Sequence, residues 1–132
     1  MALGKIKADT LEHSTAGSLD TSYVVNGSAK AWINFNGTGT VVIRDSFSIS
    51  NLTDLGTGEY RHTFVSSFAN NDYASSGMSR TPSVISGGAP QIPSDADTEM
   101  TTSHADGYTV RQSDGANIDM SHNTVIFHGD LA

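Results

Sequence analysis

Cysteine is absent from this 132-residue chain, which excludes a disulfide framework, thiol nucleophiles and thiolate metal sites. Basic charge is scarce. Seven Lys and Arg residues stand against fourteen Asp and Glu, giving a net charge of −7 and a pI near 4.9. Nucleic-acid binding needs a basic footprint to neutralise phosphates, so that class of function is excluded. No run approaches the roughly 20 apolar residues of a membrane helix, and "MALGKIKADTLEHS" lacks the apolar centre of a signal peptide. The expectation is synthesis in a cytoplasm with no membrane insertion. Large apolar residues are also few: Leu, Ile, Val and Phe total 27, with a single tryptophan, Trp32. That is a thin inventory for a domain of this size, which would ordinarily bury roughly 70% of the surface its unfolded chain exposes.

What is present is periodic. "KIKADTL" alternates, and "TSYVV" reads as a strand ending at the hairpin signal Asn26-Gly27. "SAKAWINF", the turn "NGTG" and "TVVIRDSFSISNL" follow, then the turn "TDLGTG" and "EYRHTFVSSF". Tyr60, His62 and Phe64 share one strand face, as do Ile33 and Phe35. After "DYASSGMSR" the alternation is lost. All three prolines, Pro82, Pro90 and Pro93, then fall within twelve residues around Gly87-Gly88, which marks loop or sheet edge. Strand patterns return in "GYTVRQ" and "NTVIFHG". No amphipathic helix stands out. The expected fold is all-β: an antiparallel, jelly-roll-like β-sandwich over residues 21–132, with a variable Pro/Gly loop at about 77–106. Residues 1–20 are expected to form an extended N-terminal arm without a pairing partner of its own.

Chemistry-bearing constellations are sparse. Five histidines (His13, His62, His104, His122, His128) show no metal-ligand spacing, and His62 and His128, on strands beside apolar residues, read as packed or surface side chains. The glycines of "FNGTGTVV" lack the strand–turn–helix context of a phosphate loop and are explained by a hairpin. Asp95 and Asp97 are spaced like paired carboxylates, but no aromatic sugar platform adjoins them. The expectation is therefore no catalytic residue, no metal and no cofactor. Trp32 is out of phase with Ile33 and Phe35. It belongs on the opposite strand face, where it reads as a subunit-interface anchor, together with Leu3, Ile6 and Leu11 of the arm; the alternative is a bulge that re-aims Trp32 into its own core. Gln91, Asp95, Asp97, Glu99 and Tyr108 are the candidate ligand or receptor loop.

The stretch "YVVNGSAKAWINFNGTGTVVIRDSFSISNLTDLGTGEYRHTF" resembles a β-rich domain of tail-fibre-type and other virion appendage proteins of tailed phages, especially marine ones. The resemblance covers Tyr23–Phe64, continues at Tyr73 and at the closing "VIFHG", and departs over 77–106. It implies a non-enzymatic virion structural protein made in a bacterial host: a homotrimer that attaches through its N-terminal arm to other virion proteins and presents loops to a host surface glycan or to neighbouring subunits. Alternatives are a capsid decoration or head-fibre protein and, from different classes, a carbohydrate-binding module or a small glycan depolymerase. Trimer formation would supply the apolar burial that the composition lacks.

Overall fold

The computed structural model describes residues 7–80, 100–111 and 113–132. The alternating run at the centre of the sequence forms β3 (Ala31–Asn36), which buries every second residue. It pairs with β4 (Val42–Phe47) on one edge and with β9 (His122–His128) on the other. β7 (Ala74–Arg80) adds beyond β9, giving an antiparallel four-stranded sheet in the order β4-β3-β9-β7. A three-stranded sheet, β5 (Ile49–Gly56), β6 (Glu59–Phe64) and β8 (His104–Tyr108), lies against it. The chain is thus an all-β sandwich, and Ile33/Phe35 and Tyr60/His62/Phe64 all face its core, as their parity requires.

The core is aromatic. Rings from the two sheets meet edge to face, Phe35 on Tyr60 at 4.9 Å and Phe127 on Phe64 at 5.0 Å between centroids. Phe68 stacks on Tyr73 at 4.4 Å. Such pairs add to the area they bury, which lets few apolar residues close a sandwich. Close approach has its own requirement at Gly129. A Cβ there would lie 2.6 Å from the Tyr73 Cβ and 3.0 Å from a Phe68 ring carbon. Gly129→Ala is therefore expected to cost about 1–3 kcal/mol by overpacking, measurable as a lower urea midpoint at unchanged slope.

Two polar nodes pin the ends of strands. The Tyr60 hydroxyl donates to Asp119 Oδ1 at 3.0 Å, with the Gly37 carbonyl oxygen 3.2 Å away, and the Gly58 amide donates to the same carboxylate oxygen at 2.7 Å. Burial, then the Asp119 carboxylate, push the Tyr60 phenol up, so it stays a donor. Arg44 marks a bulge: Asn34 pairs with Asp45 but Phe35 with Ile43, leaving Arg44 as the extra residue. Its guanidinium donates to the Phe35 and Ser121 carbonyl oxygens at 3.0 and 2.6 Å. Between β4 and β5 the chain leaves one sheet for the other at Ser48, whose φ is 58°.

One expectation is corrected. "TSYVV" is not a strand but the start of a helix, α1 (Thr21–Gly27). Both edges of β3 are already taken by β4 and β9, so no partner is left for a strand there. Asp20 instead caps the helix by accepting from the Ser22 amide, and the Ser28 N–H closes it on the Val24 carbonyl oxygen. The arm, from Thr10, folds back on itself as a hairpin: β1 (Thr10–His13) pairs with β2 (Gly17–Asp20). β7 runs to Arg80 and β8 begins at His104, and residues 81–99 of the loop expected at about 77–106 lie outside the described residues. The inward positions of β7 include Gly77 and Ser79, so the strand carries no apolar alternation to read.

Candidate functional site

With the Ile33/Phe35 parity committed to the core, the other face of β3 looks away from the sandwich. Trp32 lies there, directly opposite Phe47 of β4 and Ile126 of β9. Trp32 is half-buried, whereas Phe47 is 56% and Ile126 40% exposed. Ser76 of β7 extends the same cross-strand row. Met78, opposite Thr124 one row further along, is 67% exposed. An indole flanked across the strands by a phenylalanine and an isoleucine on a solvent-facing sheet is a patch of the kind that marks interaction surfaces. In the next row Asn34, Asp45 and Thr124 form a polar border that ends at Met78, close to the arrangement of apolar centre and polar rim found at subunit contacts.

The second apolar concentration is N-terminal. From residue 7 to residue 28 no described side chain is buried, and Thr21 alone is half-buried. Leu11 pairs directly with Leu19 across the hairpin, and both are nearly half exposed. Tyr23, Val24 and Val25 of α1 are 70%, 42% and 61% exposed. Thr21 ties the helix to the hairpin by donating from its amide to the Asp9 carbonyl oxygen at 2.8 Å and from its hydroxyl to the Ala8 carbonyl oxygen at 2.8 Å. An open cleft of about 410 Å³ lies between hairpin and helix, lined by Leu11, Val24, Val25, Ala8, Lys7 and Asp9.

Of the expected interface residues, Trp32 and Leu11 are accessible side chains, on separate surfaces; Leu3 and Ile6 lie outside the described residues. Gln91, Asp95, Asp97 and Glu99 of the expected ligand loop also lie outside them. Tyr108 is half-buried on β8 opposite Glu59. Among the described residues no group of three or more His, Asp or Glu side chains converges on a possible metal position.

The histidines are dispersed. His104 Nδ1 lies 3.0 Å from the Thr101 hydroxyl, and His122 Nδ1 lies 3.1 Å from the Ser121 hydroxyl. His62 is sealed in the core. Its Nδ1 is 3.1 Å from the Ala105 carbonyl oxygen, and its ring lies 5.7 Å from that of Phe35 and 5.8 Å from that of Phe127. A carbonyl only accepts, so Nδ1 carries the proton and Nε2 is the bare acceptor. That atom has no partner among the described residues. Burial lowers the His62 pKa from 6.5 to about 4 against the smaller opposing pull of the Ala105 carbonyl and Asp106.

Sequence reading missed a bidentate pair on the outer face of the smaller sheet. Arg61 Nε and an Arg61 terminal nitrogen each bond an Asp106 oxygen at 2.7 Å, with Asp106 itself buried. Opposite charges at the outward-facing parity of two strands were the available signal, but their pairing requires β6 and β8 to be known neighbours. The pair braces two strands.

No protein-family model, curated protein or solved structure matches the chain.

Proposed function

We propose that this chain is a non-enzymatic structural protein of a tailed-phage virion, a homotrimeric fibre-type appendage that attaches through its N-terminal segment and presents loops to the host or to neighbouring subunits. The observation that carries the reading is the outward row Phe47–Trp32–Ile126 on a sandwich whose core is already closed. Residues with no role in the core and large apolar area need cover from another chain. The N-terminal hairpin and helix, none of whose described side chains is buried, supply the attachment element. The likeness of Tyr23–Phe64 to virion appendage domains points to the assembly in which such contacts serve.

Two measurements test this. Light scattering on the purified chain is expected to give the mass of three 13.9 kDa chains. A folded monomer at micromolar concentration would overturn the reading. Labelling of the protein on intact particles then places it: density on the tail supports the appendage, and density spread over the head replaces it with a capsid decoration protein.

A further inference from the structure

The N-terminal hairpin and helix pose a stability problem that the chain does not solve alone. A lone two-stranded hairpin is marginal in water, and so is a seven-residue helix. Together they leave Leu11, Leu19, Tyr23, Val24 and Val25 exposed. Links such as those from Thr21 to Ala8 and Asp9 tie the helix to the hairpin. The sandwich poses the converse problem, with Phe47, Ile126 and part of Trp32 uncovered although the arm belongs to the same chain.

Charge relates the two surfaces. Between residues 7 and 27, Asp9, Glu12 and Asp20 stand against Lys7 alone, and Asp9 and Lys7 line the cleft itself. In a chain of net charge −7 the four-stranded sheet is the basic exception. Arg44 and Arg80 stand against Asp45 alone, while Lys30, just ahead of β3, already donates to the Val25 carbonyl oxygen of its own α1. The three-stranded sheet has the opposite balance, Asp54, Glu59 and Asp106 against Arg61. Among the described residues, an acidic apolar element therefore finds a complementary surface on the Trp32 face and a poor one on the other sheet. Complementary charge orients such contacts and suppresses wrong ones.

We infer that the N-terminal hairpin and helix of one copy cover the Phe47–Trp32–Ile126 row of the next, an exposed aromatic of that row seating in the cleft between Leu11 and Val24/Val25. The inference rests on the proposed assembly and specifies its contact. Each chain offers one donor element and one acceptor face, so the contact is head-to-tail. Contacts of this kind close into a ring when the rotation allows, and a trimer is one such ring. Docking supplies the cover that these formed elements lack in the single chain.

The absence of cysteine gives a clean test on the full chain. Ser22, on α1, and Ser76, beside Ile126, are exposed. Ser22→Cys and Ser76→Cys are introduced singly and together, and the protein is treated with a short bis-maleimide. The double variant is expected to give covalent dimer and trimer, and both single variants to remain monomeric on denaturing gels. Mixing isotopically heavy and light double-variant chains should yield a cross-linked peptide pair of mixed mass, joined between the two substituted positions. Light scattering on the same samples separates the failures. A trimer without the mixed pair overturns this contact and leaves the assembly standing, as does cross-linking by either single variant, which would mean a symmetric contact. A monomer overturns both.

Discussion

Acidifying the protein from pH 6.5 to pH 4 is expected to lower its folding stability by about 3 kcal/mol through His62 alone. The ring is fully buried, its Nδ1 proton is committed to the Ala105 carbonyl, and its Nε2 faces no partner among the described residues. Protonation would place a charge beside the Phe35 and Phe127 rings. Burial, the first cause, accordingly lowers the folded-state pKa to about 4, against 6.5 ordinarily. The sign follows. Between those values the unfolded chain binds a proton that the folded chain refuses, so stability is fully present above pH 6.5 and is lost as pH falls towards 4. Below 4 both states are protonated and this contribution stops changing. Asp114, held low first by the Ala116 amide and then by Arg111, titrates beneath this window. Urea unfolding at half-unit pH steps checks the slope, and His62→Phe is expected to flatten it between pH 6.5 and 4 whatever its effect on stability at pH 7. An equal slope in that variant would assign the acid sensitivity elsewhere.

The fold was legible where side-chain alternation was strong. "AWINF" and "EYRHTF" each commit one parity to the core, and the pattern survives because both strands lie centrally in their sheets. It was illegible in two kinds of place. "ASSGMSR" is a strand whose inward positions include Gly77 and Ser79, so the hydrogen-bond ladder to β9 specifies it rather than apolar periodicity. "TSYVVNG" has the β-branched residues of a strand and the Asn-Gly of a hairpin turn, yet it coils behind the Asp20 cap, and β3, the strand that would have been its hairpin partner, is paired on both sides by β4 and β9. The outward Trp32 was readable from parity, since a one-residue offset changes face. Its partners were not: Phe47 reaches it through pairing shifted by the Arg44 bulge, and Ile126 arrives from the far end of the chain.

Trp32→Ala is expected to weaken association by about 2–4 kcal/mol, the range of an aromatic hot spot at the centre of an interface. Folding of the single chain should lose much less, because Trp32 is only half-buried there and its face is not part of the core. The opposite parity supplies the contrast. Ile33 is 1% exposed in the core cluster, and Ile33→Ala should cost about 2–5 kcal/mol of folding stability through the cavity it leaves. Sedimentation over a range of concentrations reads association, and urea unfolding below the dissociation concentration reads folding. The two adjacent substitutions should exchange their effects between the two measurements. If Trp32→Ala lowers the unfolding midpoint as far as Ile33→Ala and leaves dissociation unchanged at equal folded fraction, the indole serves its own sandwich. The outward row would then not be a subunit contact.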